Sequence, residues 1–469
     1  MRTSRYLLLL ALAACASTVW AAPARREPQI GYLFPAGGQQ GSVFEVTVGG
    51  QLLRGVTDVY VSGEGVRASV IEHYRPRRNV TTEQRQGLQK RLKELREQRL
   101  AELKRQGRDP KLPAWVLTSW RVGKREDTKQ ENAAETEAVE LPDHPLVRDM
   151  ESKSLRQLQH VTNEFLDWKT LTRRQLNAQL AEMVVVEVTI DPGAAPGDRE
   201  LRLRTPNGLT NPMRFQVGTL PEICEEEPND PETFAYLPKE PPIDLPMVLN
   251  GQIMPGDVDR FRFRAKRGQR LVIETHARRL VPFLADTVPG WFQATVALYD
   301  AQGREVAFAD DYRFHPDPVL FYQVPRDGQY ELEIRDAICR GRQDFVYRVG
   351  VGELPFITQA FPLGGRTGVS TVASIDGWNL PEKQLRLDTQ PGDDCIRRTA
   401  LHQSKCVSNE VTYAVDTLPD CMETEPNDDT QSAQPIALPR IVNGRIARPG
   451  DVDVFRFEGH AGDEVVAEV

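Results

Sequence analysis

The residues best suited to chemistry in this chain occur twice. Positions 225–230 read EEEPND and positions 423–428 read ETEPND, so one E-x-E-P-N-D hexad is repeated. A G-D-V-D tetrad follows each hexad, at 256–259 and 450–453. Carboxylates and a side-chain amide this close together offer the oxygen ligands that a hard cation such as Ca²⁺ collects, about 6–8 at a time. A bound cation would also relieve the repulsion among the carboxylates. The same residues can build a capped turn, because Asp and Asn beside Pro hydrogen-bond their own backbone. The pattern alone leaves metal site, capped turn and acidic linker open.

Little else in the sequence can carry catalysis. There is no G-x-S-x-G elbow, no H-E-x-x-H and no P-loop. The seven histidines are scattered, none in ligand spacing with another. His315 sits near Asp310 and Asp311 in FADDYRFHPDP, which reads as a polar loop between strands. Cys339 has arginine neighbours that could lower its pKa, yet a structural role fits it better. No catalytic residue and no organic cofactor site is assigned, and the chain is read as a non-enzyme.

The elements that must position the hexads repeat with them. FPAGGQQGSVFEVTVGG at 34–50 matches FPLGGRTGVSTVASIDG at 361–377. TNPMRFQVGTLPEIC at 210–224 matches SNEVTYAVDTLPDC at 408–421. NGQIMPGDVDRFRF from 250 matches NGRIARPGDVDVFRF from 443. The chain is therefore a tandem of one two-part unit, A-B-A-B. The A parts span 27–75 plus 184–218, and 355–418. The B parts span 220–352 and 421–469. Period-two alternation marks strands at Phe44, Val46 and Val48, at Val186, Val188 and Ile190, and at Phe215 and Val217. In the first B part it predicts strands around Phe261/Phe263, Leu271/Ile273, Ala294–Leu298, Val319–Tyr322, Tyr330–Ile334 and Tyr347–Val351. The fold class is mainly β: tandem β-sandwiches, Ig-like for A and jelly-roll type for B, with an α-helical insertion in the first. The second B part reaches Val469 within its second strand pair, and the natural protein is expected to continue.

The insertion occupies 76–183 and is absent from the second A part. Leu88, Leu92 and Leu95 follow helical spacing in a basic segment; Ser154–Trp168 and Leu171–Met183 are read as further helices. The basic helix is a solvated face or a docking surface for an anionic partner.

The start, MRTSRYLLLLALAACASTVWAAPARR, is an export leader (1–21) with cleavage near Ala21. Leu12-Ala13-Ala14-Cys15 also has the form of a lipobox, which would leave a lipid anchor at Cys15. No segment is apolar enough to span a bilayer. The net charge of −8 argues against nucleic acid as the main partner. Export permits disulfides, and Cys395 with Cys406 is the best candidate pair.

The B parts resemble bacterial pre-peptidase C-terminal (PPC) domains through Glu227-Pro228-Asn229-Asp230, Asn250-Gly251, the run from Gly256 to Phe263, and Gly328-Gln329-Tyr330. The second copy repeats the pattern from Glu425 through Phe457. The A parts resemble Ig-like TIG/IPT modules through the FPxGGxxG opening. The PPC resemblance implies a β-sandwich found beside secreted peptidase domains and in long exported proteins. In the collagen-binding relatives of this family the hexad binds calcium. That implies Glu225, Glu227, Asn229 and Asp230 as ligands in the first copy, and Glu423, Glu425, Asn427 and Asp428 in the second. Asp257/Asp259 and Asp451/Asp453 are further candidates. The collagen-contact aromatics of those relatives have no match here, so collagen binding is not carried over.

The expectation is an exported, non-catalytic binding or scaffold protein of the periplasm, cell surface or extracellular space. Its modules would be stabilised by Ca²⁺, and its partner would be an envelope or extracellular protein or polysaccharide. The alternative is the accessory region of a secreted peptidase whose catalytic domain lies beyond Val469.

Overall fold

A computed structural model describes residues 27–74, 81–105, 141, 144–153, 158, 161–162, 165, 178–225, 243–254, 256–284, 290–402 and 406–468. The leader with Cys15, and Glu227, Asn229 and Asp230 of the first hexad, lie outside the described residues. The chain is mainly β, a tandem of β-sandwiches with a helical insertion in the first.

The first sandwich packs two sheets face to face. One has the order β1 (Gln29–Phe34), β3 (Val43–Gln51), β6 (Glu182–Ile190), β5 (Val66–Tyr74). The other runs β2 (Gly37–Gln39), β9 (Met213–Gly218), β7 (Gly197–Thr205), β4 (Asp58–Val61), with β8 (Gly208–Leu209) on β7. Alternation puts Val46, Val48, Val186, Val188, Leu201, Leu203, Phe215 and Val217 into one buried core.

The third sandwich repeats this plan with β19 (Phe356–Phe361), β21 (Thr371–Trp378) and β22 (Gln384–Leu387) facing β20 (Gly364–Arg366), β24 (Val411–Asp416) and β23 (Ile396–Thr399). The two share polar fixtures as well as strands. Asn211 accepts from Ile30 N and donates to Ile30 O at 2.8 and 3.0 Å; Asn409 clamps Ile357 in the same way at 2.6 and 3.0 Å. Gly37 pairs in parallel with Gln216, and Gly364 with Ala414.

The second sandwich carries a five-stranded sheet ordered β10 (Glu222–Cys224), β11 (Met247–Gln252), β18 (Val346–Gly352), β13 (Arg270–His276), β16 (Val319–Gln323). It faces β12 (Val258–Ala265), β17 (Gly328–Asp336), β14 (Ala294–Tyr299) and β15 (Glu305–Ala309) over a core that includes Phe263, Ile273, Val296, Leu298, Leu332 and Phe345. The fourth unit repeats its opening. β25 (Asp420–Met422) pairs in parallel with β27 (Ile441–Asn443), as β10 does with β11, and β26 (Gln434–Pro435) pairs with β28 (Phe455–Arg456).

In the insertion, helix α1 (Thr82–Arg105) starts at a capping box. Thr81 Oγ1 accepts from Gln84 N at 3.1 Å and Gln84 Oε1 accepts from Thr81 N at 3.2 Å. Leu88, Leu92 and Leu95 bury against Met150, Leu158, Val161 and Phe165. Two of the helix's arginines are neutralised locally: Arg91 pairs with Glu151 at 2.5 Å and Arg99 with Glu102 at 3.1 Å. Of the helix expected over Leu171–Met183, positions 171–177 lie outside the described residues, and over the remainder the expectation is corrected. Ala178–Leu180 is one 3₁₀ turn, and Met183 already lies in β6, where Met183, Val184 and Val185 pair with both β3 and β5. Tertiary pairing of a β-branched run overrides the helical spacing there. Among the described residues no helix is long and apolar enough to cross a membrane.

Candidate metal centre

The B parts begin by laying the first Glu of each hexad against the Asn-Gly step of the next strand. Glu225 N donates to Asn250 O at 2.8 Å, and Glu423 N donates to Asn443 O at 2.9 Å. Two residues on, the backbone returns the contact. Gln252 N donates to Glu225 Oε1 at 2.9 Å, and Arg445 N to Glu423 Oε1 at 2.8 Å. One carboxylate oxygen is thereby fixed to the sheet, and the other is turned inward.

The tetrad supplies the opposite wall. Asp257 Oδ2 accepts from Met254 N at 3.0 Å, and Asp451 Oδ2 from Ala447 N at 2.6 Å. Asp257 and Asp259 are fully buried. Tyr347, from β18, donates to Asp259 Oδ2 at 2.6 Å and reaches Glu225 Oε2 at 3.3 Å. In the fourth unit, oxygens of Glu425, Asp451 and Asp453 lie within 4.8 Å of one another. Two oxygens on one calcium ion are at most about 5 Å apart, so that set matches the span of a shared cation.

Several inward atoms meet no hydrogen-bond partner among the described residues. These are Asp259 Oδ1 in the first copy, and Glu423 Oε2, Asp453 Oδ1 and both amide atoms of the buried Asn427 in the second. Buried polar atoms are nearly always partnered. The electrostatics agree with the geometry. Burial, then Glu225 and Asp257, push the Asp259 carboxyl well above its usual range. Burial, then Asp259 and Glu225, push the Tyr347 hydroxyl up. Asp453 is raised by loss of solvent, then by Glu423 and Asp451. Among the described residues Arg448 is the basic group that reaches the second cluster, at 3.6 Å from both Asp428 and Asp451.

The glycine of each Asn-Gly step is required by this packing. A methyl on Gly251 would collide with the Tyr347 hydroxyl and sit 2.6 Å from Glu225 Oε2; one on Gly444 would sit 2.7 Å from Glu423 Oε2. Of the sequence candidates, the structure brings together Glu225, Asp257 and Asp259 in the first copy and Glu423, Glu425, Asp451 and Asp453 in the second, with Asp428 beside them. The sequence missed Tyr347 and the role of Gly251 and Gly444. The repeated Asn-Gly was a visible signal; Tyr347, a hundred positions downstream on another strand, gave none.

Other candidates resolve into structure. Cys395 and Cys406 are not joined to one another. Cys395 leads into β23, where its carbonyl accepts from Val415 N, whereas Cys406 packs against the cluster of Leu354 and Phe356. His315 pairs with Tyr312 across a hairpin tip. Cys339 is exposed, and its neighbour Arg340 is bound to Asp336 at 3.0 Å.

No family model matches the chain. A probable subtilase-type serine protease of Deinococcus radiodurans is 30% identical over 104 residues, which is 22% of this chain and 13% of that protein. The chain therefore covers a small part of that relative. Among solved structures, similarity is found to the pre-peptidase C-terminal domain of a collagenase from Bacillus anthracis, 14% identical, covering 24% of this chain and 97% of the domain, with a TM-score of 0.18. A protein of the mixed-linkage glucan utilization locus of Bacteroides ovatus, in complex with a heptasaccharide, is 7% identical over 64% of this chain and 72% of that one, with a TM-score of 0.15.

Proposed function

We propose that this is an exported, non-catalytic binding or scaffold protein of the cell envelope or extracellular space, whose PPC-like units each hold a calcium ion. The observation that carries the metal reading is duplication. Two copies separated by about two hundred positions make the same backbone-to-backbone contact and the same two backbone-to-carboxylate contacts, and turn the remaining oxygens inward, onto one another. Glu225, Asp257 and Asp259 would hold the ion in the first copy, with Glu227, Asn229 and Asp230 proposed beside them. Glu423, Glu425, Asn427, Asp428, Asp451 and Asp453 would hold it in the second. A divalent cation would neutralise carboxylates that otherwise raise one another's proton affinity.

Calorimetric titration of Ca²⁺ into the chain tests this. Two sites are expected, of which Glu225→Ala removes one and Glu423→Ala the other. Absence of heat, and of any melting shift up to millimolar Ca²⁺, would reduce both hexads to capped linkers. The second reading, an accessory region of a secreted peptidase, is favoured by the partial match to the Deinococcus protease. A catalytic motif in a longer gene product would decide for it.

A further inference from the structure

The five-stranded sheet of the second sandwich is buried on both faces, and its outer face is shared between two neighbours. Along β13, Leu271 and Ile273 point into that sandwich's own core, while Val272, with no exposed surface, points out. Along β18, Tyr347, Val349 and Val351 point in, while Val346 and Arg348 point out.

At one end of this face the first sandwich sits. Val346, Leu280 and Val281 belong to the same buried cluster as Val186, Phe215 and Val217 of the first sandwich. Beside them the Arg348 guanidinium, only 5% exposed, binds Glu222 through two nitrogens at 2.7 and 2.8 Å, Asn250 at 2.8 Å and Gln216 of β9 at 3.2 Å. A methyl on Gly37 would lie 2.8 Å from the Arg348 Cζ, so the guanidinium is seated directly on the first sandwich's backbone. His276 also reaches Gln216, at 2.9 Å.

At the other end the third sandwich sits. Phe356 and Trp378 pack on Phe321 with ring centroids 5.3 and 5.1 Å away. Arg270 lies 4.5 Å above the Trp378 ring. Asn379 Nδ2 donates to Arg270 O at 2.8 Å.

We infer that the first three sandwiches are one cooperative strut rather than modules strung on linkers, and that both joints hold without metal. Packed apolar contact and a buried guanidinium with a hydrogen-bond partner on each of its three nitrogens couple neighbours in this way, because opening one side strands the other's buried groups. At the second A-to-B junction the counterparts of Gln216 and Glu222 are Ala414 and Asp420.

Hydrogen exchange on the whole chain in chelator tests the strut. Leu298→Ala opens a cavity in the second sandwich, far from both joints. Exchange at the slowest amides of β14 and β17 should quicken on the order of a hundredfold. If the strut is cooperative, the slowest amides of β3, β6 and β21 quicken by the same factor. Adding Arg348→Ala should release β3 and β6 from this coupling, and adding Trp378→Ala should release β21. Unchanged β3, β6 and β21 beside a faster β14 would overturn the inference. Should Leu298→Ala fail to fold, Ile334→Val carries the same comparison, at roughly threefold to tenfold. The chelator keeps the outcome separate from calcium binding: the strut can fail with both sites intact, and the reverse.

Discussion

Replacing Asp259 by Asn should stabilise the metal-free protein and weaken its response to calcium. Asp259 is fully buried, and its carboxyl is held well above the usual range by burial and by Glu225 and Asp257. At pH values below the unfolded carboxyl's titration point, near 4, both states are protonated and the group contributes nothing. Above it the unfolded chain releases the proton while the folded chain keeps it, so stability falls as pH rises. The loss ends at the raised titration point of the folded state. Each pH unit between the two points removes about 1.4 kcal/mol, a shift of a few degrees in melting temperature for a body of this size. Asn keeps an oxygen for the Tyr347 hydroxyl, which donates at 2.6 Å, and carries no charge. Melting curves in chelator from pH 4 to 8 should therefore show the variant gaining on the parent as pH rises, then running parallel to it. Calcium at a hundred times its dissociation constant adds about 2.7 kcal/mol to the parent, and the variant should gain less. A variant less stable than the parent in chelator at pH 7, or an undiminished calcium response, would refute the account of this cluster.

Gly251→Ala drives a methyl into the Tyr347 hydroxyl, so it should cost about 1–3 kcal/mol and weaken the first calcium site; denaturant melts and calorimetry read both. Arg348→Ala leaves the half-buried Glu222 without its charged partner, with only the Asn250 amide, among the described residues, donating to it at 3.1 Å, and should cost about 3 kcal/mol, measured by denaturant unfolding, with Glu222→Gln recovering part of the loss in the double variant. Asn211→Ala and Asn409→Ala each free one N–H and one C=O of a first strand; each should lose about 1–3 kcal/mol, and markedly unequal losses would mean that the two A parts are not built alike.

Much of this architecture was legible because it is repeated. The FPxGGxxG opening, the Asn of TN/SN and the Asn-Gly step each occupy one structural position twice. The period-two runs marked six of the nine described strands of the second sandwich, β12, β13, β14, β16, β17 and β18, and missed β10, β11 and β15. What escaped has a common cause: it depends on partners distant in sequence. Tyr347 joins the cluster only because β18 pairs with β11, which brings it over Gly251. Met183 leaves the helical pattern because β3 and β5 are waiting on either side. Cys395 and Cys406 are near in sequence, yet β23 and the Phe356 cluster take them to different neighbours.

The double burial of the five-stranded sheet has a trace in the sequence that alternation hides. A sheet with one wet face reads apolar-polar-apolar, whereas LVI at 271–273 and VLFY at 319–322 run apolar without a break. Those runs were readable as strands, and their second apolar face was the notice of a neighbour. The first hexad lies on the same strand path as that sheet: Glu222 of β10 is gripped by Arg348, and Glu225, three positions on, is held by Gln252 N and faces Tyr347. Arg348 and Tyr347 are adjacent on β18 and point to opposite faces. One strand therefore fixes the joint between sandwiches with one residue and closes the acidic cluster with the next. A change in the cluster's charge can reach the joint only by moving β18, whose register is pinned on both sides by β11 and β13, or β10, an edge strand held in parallel register by β11. The joint should accordingly stay closed when calcium is removed, and the same exchange measurement on β6, with and without the ion, should find the strut unaltered while the amides around Glu225 loosen.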